Sequence, residues 1–98
     1  MRVASTKPVF DKQLSKLDPQ TRDVILKRMQ KIIENPELGK PLHAPQQNHF
    51  SERVEKHRII YTFTLEEVIF VFIEHRDKVF NRAFQFYDKE LPVVIQTT

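Results

Sequence analysis

The chain has 98 residues, 40% hydrophobic and 30% charged, with a formal net charge of +3 and no cysteine. This describes one globular domain, residues 1–98, without disulfides, thiolate nucleophiles or cysteine-ligated zinc. The single glycine, Gly39, excludes glycine-rich phosphate loops, and the short apolar runs exclude a membrane helix.

The N-terminus has no apolar signal-peptide core, so a cytoplasmic location is expected. Met1 to Ser5 reads as a short edge strand. Pro8 fits the first turn of a helix, and Phe10, Leu14 and Leu17 recur at helical spacing, predicting a helix over 8–17. Asp18-Pro19 opens a second helix, aspartate capping and proline taking the first turn. Ile25, Met29, Ile32 and Ile33 line one face of it, and Asn35-Pro36 ends it, giving 19–34. So short a connection predicts an antiparallel helix hairpin.

Residues 36–48 hold three of the six prolines and the glycine, and read as a surface loop. From His49 the period changes to two. Strands are predicted at 49–55, 57–64 and 68–75, with a tight turn at Glu55-Lys56 and a hairpin turn at Leu65-Glu66-Glu67. Val68 to Ile73 is apolar on both faces and is expected to be central in the sheet. From Asp77 the period is helical again through Phe80, Phe84, Tyr87 and Leu91. Pro92 stops that helix, leaving a short tail. The fold class is α+β: a small antiparallel-rich sheet, an N-terminal helix hairpin packed on one face, and a C-terminal helix.

The chemistry lies in two basic stretches, Lys56-His57-Arg58 and His75-Arg76, each at one end of an apolar strand. Neighbouring strands would bring Arg58, His75 and Arg76 together. Arginine offers a rigid fork matching phosphate oxygens, and imidazole titrates near neutrality. A tight turn would set Arg53 beside Arg58, and two adjacent arginines repel unless an anion lies between them. Taken singly, a strand-end arginine or histidine is more often a solvated edge residue. The four histidines have no metal-ligand spacing, so no metal and no cofactor is expected.

The order of helix hairpin, proline-rich loop, Phe50-Ser51-Glu52-Arg53-Val54, His57-Arg58-Ile59-Ile60-Tyr61 and His75-Arg76 through Val79-Phe80 resembles the RelE/ParE toxin superfamily. Asn35-Pro36 and Gly39-Lys40-Pro41-Leu42 are similar to further motifs of it, and the resemblance runs from about Val9 to Phe80. It implies a toxin of a toxin–antitoxin pair. RelE-type members cut mRNA in the ribosomal A site without metal, using the RNA's 2′-hydroxyl as nucleophile. The resemblance gives Arg58, Arg53 and His75 catalytic positions. Arg76, Lys56, Lys40, Phe80 and Tyr87 become RNA- or phosphate-contacting candidates.

The implied partners are a small acidic antitoxin, joined in a heterotetramer, and the ribosome with its mRNA. One departure is Phe80, where the family usually has tyrosine: a phenyl ring stacks on a base but transfers no proton, which moves that task to His75 or Tyr87. The alternative is a ParE-type toxin that cleaves nothing and binds a protein such as DNA gyrase, or a degraded RelE relative.

Overall fold

The computed structural model describes residues 2–42 and 48–75 and the backbone of 93–95. The elements run β1 (Val3–Thr6), α1 (Pro8–Ser15), α2 (Pro19–Glu34), one 3-10 turn (Pro36–Leu38), β2 (Lys40–Pro41), β3 (Phe50–Val54), β4 (His57–Phe63), β5 (Glu67–His75) and β6 (Val93–Ile95). The strands form a single sheet in the order β2-β3-β4-β5-β1-β6. All neighbours are antiparallel except β1 and β5, which run parallel from Val3↔Glu67 to Thr6↔Phe70. The fold is α+β, as the periodicity predicts.

Both helices start at a proline in the first turn, and the second is also capped by Asp18. The Asp18 carboxylate accepts from the Thr21 N–H at 3.1 Å, and the Thr21 side chain together with that N–H holds its pKa below the usual aspartate value. Arg22 closes the other end of the hairpin, donating to the carbonyls of Leu14, Ser15 and Leu17 at the C-terminus of α1. The helices pack on one sheet face over Phe10, Ile25, Met29, Ile32, Ile59, Tyr61, Val68 and Phe70, all buried. Each such apolar side chain is worth about 1.5–3 kcal/mol of transfer free energy. A partly buried ion pair, Arg28 to Glu52 at 2.6 Å, ties α2 to β3.

Three features depart from the sequence reading. The first strand is internal, lying between β5 and β6. The expected tail after Pro92 contains β6, which pairs with β1 from Ala4↔Ile95 to Thr6↔Val93. The expected loop contains the 3-10 turn and β2. The signals were faint because these strands are only two to four residues long. The expected C-terminal helix, with Phe80 and Tyr87, lies outside the described residues.

A β-bulge interrupts the β4–β5 ladder. Ile60 pairs with Phe72 and Tyr61 with Phe70, leaving Val71 as an extra residue on β5. The alternation of faces therefore inverts along β5. Val68 and Phe70 face the helices before the bulge, and Ile73 faces them after it. Val71 and Phe72 join Ile60 in a second buried cluster.

Two polar devices hold the frame. The Tyr61 hydroxyl is buried, donates to the Pro36 carbonyl at 2.6 Å and accepts from the Gly39 N–H at 2.8 Å. Burial pushes its pKa up. A Cβ on Gly39 would lie 2.5 Å from that hydroxyl and 2.9 Å from the Ser51 carbonyl, so the lone glycine is required by close approach. The second device is Gln13. Parallel pairing with β1 stops at Phe70, and beyond it the Gln13 amide takes over the edge of β5. Its Nε2 donates to the Ile73 carbonyl at 2.8 Å, and its Oε1 accepts from the Ile73 N–H at 2.7 Å. The side-chain amide thus replaces a peptide group of the missing strand.

Two expectations for stability result. Tyr61→Phe leaves a buried N–H and a buried carbonyl without a partner and should cost about 1–3 kcal/mol; chemical denaturation measures this, and an unchanged midpoint would remove the proposed anchor. Gln13→Leu should accelerate hydrogen exchange of the Ile73 amide at least about tenfold, for a loss of about 1.4 kcal/mol or more in local opening. Unaltered protection there would show that the amide is not what closes this edge.

Candidate anion site on the second face of the sheet

The turn at Glu55 and Lys56 joins β3 to β4 in two residues, with Val54 opposite His57 and Arg53 opposite Arg58. Glu55 holds φ at 55°, a left-handed conformation that costs a side-chain-bearing residue about 1–2 kcal/mol. That strain is the local cost of so tight a register. The expected pairing of Arg53 with Arg58 is thus present. Directly opposed residues share a sheet face. Arg53 and Arg58 are both exposed, and neither makes a hydrogen bond or ion pair within the described residues.

The row continues. Arg58 is opposite Glu74 on β5, and Lys40 on β2 is opposite Ser51, two residues before Arg53 on the same face. One face therefore presents Lys40, Arg53 and Arg58, exposed, with Glu74 buried at the end of the arginine row. Lys56 is exposed in the turn. Arg76, Phe80 and Tyr87 lie outside the described residues.

The expected meeting of Arg58 and His75 does not occur on one face. His75 is the partner of His57, and these two point to the side of the helices, with rings 5.1 Å apart in an edge-to-face contact. The bulge at Val71 is the cause. Unbroken alternation would have set His75 on the face of Arg58 and Glu74 on the other; one extra residue exchanges them.

The His57 Nδ1 is buried without a hydrogen-bond partner. Burial, and then the nearby His75, hold its pKa below the ordinary histidine value. The Glu74 Oε2 is likewise buried and without a partner. Burial pushes its carboxyl pKa up, and the Arg58 guanidinium pulls it part of the way back. Glu74 is the residue that sequence reasoning missed. Its signal was a carboxylate in the register position opposite an arginine, hidden because the register depends on the bulge.

Two exposed guanidinium groups at strand spacing, about 5 Å apart at the backbone, suit an anion with several oxygens, such as a phosphodiester. Among the described residues no three carboxylate or imidazole side chains gather as metal ligands, and no helix is long and apolar enough to cross a membrane.

Comparison with known proteins agrees with this architecture. Residues 6–80 match the family described as ParE toxin of type II toxin–antitoxin system, parDE. A relative from Methanocaldococcus jannaschii, named "Putative toxin RelE4", is 33% identical over 88 residues, covering 83% of this chain and 93% of that protein. A chain in the crystal structure of the toxin–antitoxin complex RelBE2 from Mycobacterium tuberculosis superposes with a TM-score of 0.69 at 22% identity, over 76% of this chain and 98% of that one. The last likeness is one of fold. The family match spans the helix hairpin, the paired arginines and the central strand together, and the chain belongs to the RelE/ParE superfamily of toxins of toxin–antitoxin systems.

Proposed function

We propose that this chain is a toxin that binds mRNA on the ribosome and promotes its cleavage by the RNA's own 2′-hydroxyl. The observation that carries the reading is the Arg53–Arg58 pair, two exposed guanidinium groups in register on one sheet face with no hydrogen bond or ion pair among the described residues. Such a pair is well placed to hold the scissile phosphate. Positive charge fixed beside a phosphate is worth most when a pentavalent transition state gathers negative charge on the equatorial oxygens. The protein then needs little covalent chemistry of its own. It aligns the hydroxyl, neutralises charge, and supplies a proton to the departing 5′-oxygen.

Lys40 and Lys56 extend the positive surface along the backbone of the message. Arg76, Phe80 and Tyr87 are proposed to contact the same RNA. His75 is the candidate for proton transfer. Because it lies at the last rung of β5 and on the helix side, it would act around the end of the strand and not across the arginine row. The net charge of +3 and the exposed arginines favour a small acidic antitoxin that covers this face, in a heterotetramer. We propose a cytoplasmic site of action, where ribosomes are.

A second reading has a specific observation behind it: the matching family is described as ParE toxin. In that reading the arginine row binds an acidic surface of a protein target such as DNA gyrase, and nothing is cleaved.

Two experiments separate these readings. On ribosomes programmed with a defined message, primer extension should show cuts with the parent chain, and Arg58→Ala should reduce the cutting rate by about 10²-fold or more. An Arg58→Ala rate equal to the parent's overturns the phosphate assignment. No cutting by the parent, with inhibition of gyrase supercoiling, establishes the second reading. His75→Gln and Phe80→Tyr, compared on the same ribosomes, locate the proton donor. An undiminished rate in His75→Gln, with a large gain in Phe80→Tyr, would exclude His75 from the chemistry.

A further inference from the structure

Glu74 has no structural task that explains its chemistry. It is 6% exposed, and its Oε2 lacks any hydrogen-bond donor. It follows Phe72 and Ile73 on a strand whose buried positions are otherwise apolar. A buried acceptor left without a donor is destabilising, and an apolar residue of similar size would avoid that cost. Among the described residues no ion pair compensates it, and Arg58 acts on it only at a distance. Native proteins carry few such groups, and they cluster where a ligand completes them.

Its position says what that ligand must bring. Arg53, Arg58 and Glu74 occupy matching register positions on three successive strands and share one face. The row spans about 10 Å, two strand spacings. A phosphate fits the arginine end and is repelled at the carboxylate end. Glu74 accepts only a group with a hydrogen to donate, and at 6% exposure only a small one. A ligand satisfying both ends is an anion with a hydroxyl a few bonds from its phosphorus. In a nucleic acid backbone that hydroxyl is the ribose 2′-OH on the 5′ side of the phosphate.

We infer that Glu74 is the residue by which this protein distinguishes RNA from DNA: it accepts a hydrogen bond from the 2′-hydroxyl of the nucleotide whose phosphate lies on Arg53 and Arg58. This rests on the anion-binding reading proposed above and adds the sugar specificity of the same site. Deoxyribose brings the same phosphate but no hydroxyl, and leaves Glu74 without a donor. Sites built to pair with a hydroxyl reject the analogue that lacks it for this reason. The raised carboxyl pKa has the same origin, since a buried carboxylate without a donor is the poorly solvated form that a hydroxyl would relieve.

The test is fluorescence anisotropy of a labelled RNA hexanucleotide and its 2′-deoxy counterpart with the full chain, without ribosomes. The parent should bind the RNA about 10- to 100-fold more tightly, the effect of one hydrogen bond to a charged group. Glu74→Leu should abolish the difference, bringing DNA affinity to or above the parent's DNA value. Glu74→Gln, whose amide oxygen still accepts, should retain part of the preference. Thermal melting checks the fold, and Glu74→Leu should melt no lower than the parent. Equal RNA and DNA affinities in the parent, or an RNA preference that survives Glu74→Leu, would overturn the inference. Arg58→Ala separates this from the underlying reading. If it weakens both ligands while the parent shows no sugar preference, only the role of Glu74 fails. If it weakens neither, the anion site itself is wrong, and this role fails with it.

Discussion

The constraint from which the rest follows is that β5 is buried on both faces and must be hydrogen-bonded along both edges. From Val68 to Glu74 only Ile69 is not fully enclosed. A strand so placed cannot satisfy its backbone with water. One edge is served by β4 along its whole length, across the bulge. The other is served by β1 only as far as Phe70. The chain then turns into α1 at Pro8, and the Gln13 side chain completes the edge at Ile73. The helix hairpin is thus more than a cover for the core. It continues the sheet by other means, and its position relative to β5 is fixed to within a hydrogen bond.

The same frame places opposite demands on the two faces. On the helix side the strands meet Phe10, Ile25, Met29 and Ile32, and the Tyr61 hydroxyl buried among them is fully used. On the other side, the apolar cluster of Ile60, Val71 and Phe72 gives way toward the β3–β4 turn to exposed arginines. Apolar packing is spent near the middle of the strands and charge is displayed at their ends. That separation keeps the guanidinium groups exposed and, among the described residues, without a hydrogen bond or ion pair, the condition for binding an anion from outside.

Much of this was readable before any coordinates. Asp18-Pro19 and Asn35-Pro36 mark the second helix because capping and the steric effect of proline are local. The apolar run from Val68 to Ile73 marks the central strand because burial on both faces leaves no alternation. The pairing of Arg53 with Arg58 follows from the turn length alone. Three things were hidden. The bulge at Val71 is a tertiary accommodation, and no residue near it carries a glycine or proline signature. It alone decides that Glu74, and not His75, faces Arg58. The internal position of β1 depends on residues more than sixty positions away, which no local pattern encodes. The role of Gly39 depends on the reach of the Tyr61 hydroxyl. In each case the deciding partner is distant in the chain.

The parallel pairing of β1 with β5 also has a consequence for how the protein comes into being. β1 precedes both of its partners in the chain, Glu67 to Phe70 on one side and Val93 to Ile95 on the other. Closing such long loops must await contacts made late in the chain. The helix hairpin and the β3–β4 hairpin are local and can form as they emerge. The sheet that unites them stays open at one edge of β1 until Val93 to Ile95 has been made. A nascent copy of this toxin therefore holds β1 without a second neighbour until Val93 to Ile95 has emerged, and the strand that precedes the others in the chain is the last to be enclosed on both edges.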